Sequence, residues 1–112
     1  MSQPLYKVLS AEVWQEAESS GQFGGAGIDL TDGFIHLSAP NQVKETVAKH
    51  FADQSDLLLV TVDGSRLGSI LKWEESRGGA LFPHVYGVIP MSAVEKVEPL
   101  PLGEDGAHQF PF

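Results

Sequence analysis

Leu57-Leu58-Leu59-Val60-Thr61-Val62 is the stretch on which the architecture turns. Successive side chains of a strand point to opposite sides, so this segment is apolar on both faces apart from Thr61. A strand that must hide both faces belongs in the middle of a sheet, with packing above and below it. Asp63-Gly64 then ends it, since both residue types favour turns.

Working outward, Val43, Val47 and Phe51 recur every fourth residue. That spacing predicts an amphipathic helix from Ser38 or Pro40 to about Ala52, packed on the sheet and carrying Lys44, Glu45 and Lys49 outside. A strand at Phe34 to Ser38 precedes it. Leu5 to Leu9 alternates as a strand, and Ser10 is placed to cap a helix through about Ser20, with Val13, Trp14 and Ala17 facing inward. Gly21 follows as its stop. Ile70 to Glu74, Phe82 to Ile89 and Val94 to Leu100 read as further strands, separated by turns that contain Gly78, Gly79 and Pro90. Helices come early and sheet connections late. The expected class is therefore α+β: a compact, mainly antiparallel sheet, or two short sheets, with two early helices. Residues 1–112 read as one domain, whose last ten residues are polar except for Phe110 and Phe112 and are either docked or loose.

Composition narrows the function classes. A hydrophobic fraction of 42% and a charged fraction of 20% over 112 residues are those of a globular chain. Seven Lys plus Arg against fifteen Asp plus Glu give a net charge of −8. The average field then repels phosphate backbones and anionic membranes, while a small phosphorylated ligand can still be held by local cations and N–H groups. The absence of cysteine removes disulfides, thiolate ligands and thiol nucleophiles. The start lacks the pattern of a signal peptide and no apolar run is long enough to span a bilayer, so a cytoplasmic location is expected.

Gly21, Gly24, Gly25 and Gly27 invite comparison with a dinucleotide fingerprint, but that needs a strand before and a helix after. Here the expected order is reversed, so these glycines read as a loop. His36, His50, His84 and His108 lack metal-ligand spacing, and no metal site is expected. A Ser38–His84–Glu74 hydrolase would need geometry that no nucleophile-elbow motif announces.

Alternation in the strands is more informative. His36 and Ser38 share one face with Phe34, opposite Ile35 and Leu37; Lys72 and Glu74 lie opposite Leu71 and Trp73; His84 and Tyr86 lie opposite Val85 and Gly87. Three strands thus each offer a pair of proton-handling or hydrogen-bonding side chains beside the turn at Arg77-Gly78-Gly79. If these faces meet in one cleft, they can bind a polar ligand or do acid–base work. If they do not, they are solvated strand faces.

The segments Asp32 to Ser38, Leu71 to Glu74 and Arg77 to Gly87 together closely resemble the bacterial domain of unknown function family 952, over about Tyr6 to Leu102. That resemblance implies a fold similar to the ADP-ribosylation fold of NAD-dependent ADP-ribosyltransferases and RNA 2′-phosphotransferases. It implies NAD or another ribose-containing nucleotide as the small-molecule ligand. Lys7 would stand near the early His or Arg of those enzymes, His36 and Ser38 would correspond to the middle motif, and Glu74 would be the nearest late acid. In this reading His36, Glu74, His84 and Tyr86 are the catalytic candidates. Lys7, Ser38, Lys72, Arg77, Gly78, Gly79 and Phe82 would bind ligand, with Lys72 and Arg77 on phosphate and Phe82 and Tyr86 stacked on a base. A non-catalytic module binding a small ligand or a protein through the same pocket is the alternative.

Overall fold

The computed structural model describes residues 4–75 and 77–112, with Arg77 described by its backbone alone. In chain order the elements are β1 (Pro4–Ser10), α1 (Ala11–Ser20), β2 (Gln22–Phe23), α2 (Ile28–Asp32), β3 (Ile35–His36), α3 (Val43–His50), β4 (Leu57–Asp63), β5 (Leu71–Glu75), β6 (Leu81–Val85), β7 (Ile89–Pro90) and β8 (Val94–Leu100). Short 3-10 turns link several of them. The strands form three antiparallel sheets, ordered β1-β4-β8, β2-β7 and β3-β6-β5. No described helix is long and apolar enough to cross a membrane.

β4 takes the central place of the first sheet, as its two apolar faces require. Val60 and Val62 pack with α1 and with Ile35 and Val85 of the third sheet; Leu57 and Leu59 pack with Val43 and Val47 of α3. Burying each of these side chains is worth about 1.5–3 kcal/mol relative to leaving it exposed. The sheet is thus the shared wall of two apolar clusters. α1 begins where Ser10 Oγ accepts from the N–H of Val13 at 3.3 Å. It ends where Gly21, at φ 88°, takes the left-handed conformation and donates to Ala17.

Three expectations are corrected. The glycine-rich loop contains α2, whose Ile28 and Leu30 are exposed at 63% and 70% and so leave no apolar periodicity to read. β2 precedes it, but β2 is two residues long and pairs antiparallel with β7, which is no βαβ unit. The helix expected from Ser38 or Pro40 to about Ala52 spans only Val43–His50: it starts late because residues 39–42 form a turn in which Gln42 Oε1 accepts from the Ala39 N–H at 3.0 Å, and it ends at Phe51, whose N–H donates to the Val47 carbonyl. The strand expected to run from Phe82 to Ile89 breaks after Val85: Tyr86 N–H donates to the Ile70 carbonyl, and Gly87 lies against Ile70, where a Cβ would come within 3.3 Å of its side chain. The chain leaves one sheet there and enters another. The described residues form three sheets and three α-helices.

The tail lies against α3 and β1. Phe110 packs beside the second cluster, Phe112 stands 5.2 Å from Tyr6 between ring centroids, and His108 Nε2 lies 2.7 Å from the Gln54 carbonyl.

Candidate functional site

The third sheet brings the polar pairs onto one face. Its antiparallel register sets His36 opposite His84, His84 opposite Lys72, and Glu74 opposite Phe82. Residues directly opposite in such a ladder share a face. β1 joins this sheet to the first through reciprocal bonds between Tyr6 and Ser38, at 2.8 and 2.9 Å. The joint leaves a cleft of about 370 Å3 between β1, β3, β6, α2 and α3. Lys7, Asp32, His36, Ser38, His50, Phe82 and His84 are among its lining residues.

Behind Lys7 and His36 of its wall is Asp29, the second residue of α2, with a side chain only 1% exposed. Its Oδ2 accepts from Lys7 Nζ at 2.7 Å and the Ala26 N–H at 3.0 Å. Its Oδ1 accepts from the His36 N–H at 3.0 Å and faces His36 Nδ1 at 2.6 Å. Burial opposes ionisation of this carboxyl, but the Lys7 charge and the bonds from Lys7 and His36 outweigh it and hold the group below its ordinary value. Lys7, which also donates to the His36 carbonyl at 3.1 Å, is pushed below the ordinary ammonium range by burial despite Asp29. Of the two, Asp29 is the better served, because four donors surround it.

A second carboxylate stands behind the other histidine. Glu74 Oε1 lies 2.9 Å from His84 Nδ1 and accepts from the Tyr86 hydroxyl at 2.6 Å. These two hydrogen bonds, Tyr86 first, hold the Glu74 carboxyl below its ordinary value, and the same contact raises the Tyr86 phenol. The Phe34 ring binds the groups together. Its centroid is 4.6 Å from that of His36, 4.3 Å from His84 and 5.2 Å from Tyr86. The two imidazoles are 5.4 Å apart, edge to face.

Residues 8–97 match the model of a family described as a protein of unknown function, DUF952. The chain belongs to the DUF952 family. It is similar to CC0527 from Caulobacter crescentus, whose X-ray structure is 48% identical with a TM-score of 0.90, covering 95% of this chain and 93% of that one. The solution NMR structure of the same protein, also 48% identical, has a TM-score of 0.85 and covers 96% and 92%. No curated protein matches.

On this DUF952 fold the sequence-derived candidates separate into groups. His36 and His84 face one another, and Lys7, Ser38 and Phe82 line the same cleft. Glu74 and Tyr86 lie behind His84 and do not line it. Lys72 lies with its Nζ 5.5 Å from the centre of the Tyr86 ring. Gly78 and Gly79 are exposed in the turn before β6, with φ of 64° and 83°, and the Arg77 side chain lies outside the described residues. Ser38 donates its hydroxyl to Thr46 Oγ1 at 3.1 Å, not to an imidazole, so no Ser–His–acid relay is assembled. No group of three or more His, Asp or Glu set to hold a metal ion occurs among the described residues.

Sequence reasoning missed Asp29 and Asp32 as parts of the site, and it placed Phe34 on the face of His36 and Ser38 without giving it a role. Asp32 Oδ2 lies 3.1 Å from His36 Nε2. The available signal was Asp29 and Asp32, three apart in one helical turn just ahead of His36, but a turn flanked by glycines offers no periodicity to announce a helix.

Proposed function

We propose that the cleft binds a ribose-containing nucleotide, with NAD the first candidate, and acts on a bond of its ribose in the manner of an ADP-ribosyltransferase. The observation that carries the proposal is the pair of imidazoles opposed across β3 and β6 in the cleft wall, each backed by a carboxylate. A carboxylate-oriented imidazole is a general acid or base, and Phe82, Tyr6 and Phe51 supply apolar and aromatic wall for a planar base. The resemblance to family 952, which implies a fold similar to the ADP-ribosylation fold, supports the same reading by analogy. A volume near the lower end of ligand pockets suits one base–ribose unit, leaving the rest of a dinucleotide at the mouth.

Titration of the protein with NAD, ADP-ribose and a nucleoside phosphate, followed by amide and imidazole NMR signals, tests this. Saturable shifts confined to the cleft, with product formation lost in His84→Ala, are expected. Absence of shifts with all three removes the nucleotide from consideration.

A second reading, binding without turnover, is favoured by one observation: Glu74, the acid expected to stabilise charge on the ribose, is turned to His84 and Tyr86 and away from the cleft. It predicts saturable binding with no product at any enzyme concentration.

A further inference from the structure

The two histidines of the cleft differ in what their neighbours leave open. α2 engages both ring nitrogens of His36, Nδ1 through Asp29 at 2.6 Å and Nε2 through Asp32 at 3.1 Å. Only one nitrogen of His84 is engaged, Nδ1 by Glu74 at 2.9 Å. Its Nε2 meets no hydrogen-bond partner among the described residues, and its ring is part of the cleft wall although the side chain is only 6% exposed.

An ionised carboxylate accepts hydrogen bonds and donates none, so the Glu74 contact places the proton of a neutral His84 ring on Nδ1. Nε2 then carries a lone pair directed away from Glu74. The Tyr86 hydroxyl donates to the same oxygen, Oε1, at 2.6 Å, which keeps that oxygen an acceptor. Phe34, 4.3 Å away, packs against the imidazole and restrains its plane. The backing has the form that fixes tautomer and orientation at metal-bound and catalytic histidines, where a carboxylate holds the far nitrogen and the near one does the work.

We infer that His84, and not His36, is the imidazole that meets the ligand, with Nε2 as a hydrogen-bond acceptor, and that Glu74 and Tyr86 are positioning residues behind it. The ligand group it takes is a hydrogen-bond donor. On the nucleotide reading, from which this part follows, that group is a ribose hydroxyl. His36, with Asp29 at Nδ1 and the Asp32 carboxylate occupying the approach to Nε2, serves instead to anchor α2 to β3.

Imidazole 15N NMR on the free protein tests the assignment without any ligand. In mildly alkaline buffer, where an ordinary imidazole is neutral, His84 is expected to show a pyrrole-type Nδ1 and a pyridine-type Nε2. In Glu74→Gln, whose amide can offer an N–H to Nδ1, the Nε2–H tautomer is expected to appear. Glu74 is 39% exposed, so this variant is expected to fold. An Nε2–H tautomer in the wild type, or an unchanged single tautomer in Glu74→Gln, overturns the inference. Adding NAD is expected to move the His84 Nε2 signal and leave His36 Nε2 nearly still. NAD affinity in Glu74→Gln should fall by about tenfold, the loss of roughly one hydrogen bond. Movement of His36 Nε2 alone overturns the division between the two histidines while the nucleotide site stands. If NAD moves neither, the nucleotide reading fails, and the free-protein tautomers decide the rest.

Discussion

Replacing Asp29 by asparagine keeps the shape of the side chain and removes the counter-charge of a buried ammonium. Asp29 gathers four donors, two on each oxygen, and is almost wholly buried. An amide keeps one oxygen and turns an NH2 group toward the other two donors. A buried polar group left unpaired costs about 1–3 kcal/mol, and breaking a buried ion pair from one side costs about 3–5 kcal/mol. These contributions share atoms and do not add, so about 3–5 kcal/mol is expected for Asp29→Asn, against a typical total of ~5–15 kcal/mol for a domain. Urea unfolding followed by tryptophan fluorescence reads this as a lower midpoint at unchanged slope. Thermal unfolding should fall by more than about 12 °C, at ~4 °C or more per kcal/mol for a domain near this size. The double replacement Lys7→Met with Asp29→Asn removes both charges yet keeps an oxygen that can accept from the Ala26 or His36 N–H, and should recover part of the loss. A stability for Asp29→Asn within about 1 kcal/mol of the wild type would refute the argument that α2 is pinned by this carboxylate.

The same group sets a pH dependence. Folding lowers the Asp29 pKa, so the stability it contributes is fully present above the unfolded value, about 3.9, and is lost as the pH falls through the folded one. Wild-type stability should therefore drop on the acid side, and this drop should be shallower in Asp29→Asn.

Further outcomes follow from the other contacts. Tyr86→Phe removes the leading cause of the lowered Glu74 carboxyl, which should then titrate closer to its ordinary value by carboxyl 13C NMR; no movement would mean the 2.6 Å contact is not made in solution. Phe34→Ala withdraws the ring that His36, His84 and Tyr86 pack against. For this half-buried side chain a loss of about 2 kcal/mol is expected, below the ~3–5 kcal/mol of a fully buried Phe, together with broadening of the His84 ring signals; unchanged signals would show that the ring is not what restrains His84. Gly87→Ala brings a Cβ to 3.3 Å from Ile70 Cδ1, close enough to push that side chain aside. About 1 kcal/mol of destabilisation is expected in urea unfolding, and a neutral result would indicate that the turn after β6 yields freely.

Local pattern alone carried the strands β1, β4, β5 and β8, the helix α1 with its Ser10 cap and Gly21 stop, and the amphipathic face of α3. Each of these is written in neighbouring residues, through alternation, four-residue spacing or a capping side chain, and needs no distant partner to be read. Alternation likewise placed His36, His84, Lys72 and Glu74 correctly on their strand faces, because a side chain's direction is a property of its own strand. The partners of those side chains are another matter. Asp29 meets Lys7 across 22 residues of sequence and Tyr86 meets Glu74 across 12, and such distances carry no periodic trace. The break after Val85 depends on Ile70 lying against Gly87, and α2, with its exposed Ile28 and Leu30, is held by the contacts of the Asp29 and Asp32 carboxylates. Which nitrogen of which histidine stays open is decided by whatever folds against it, and that is a property of the tertiary structure alone.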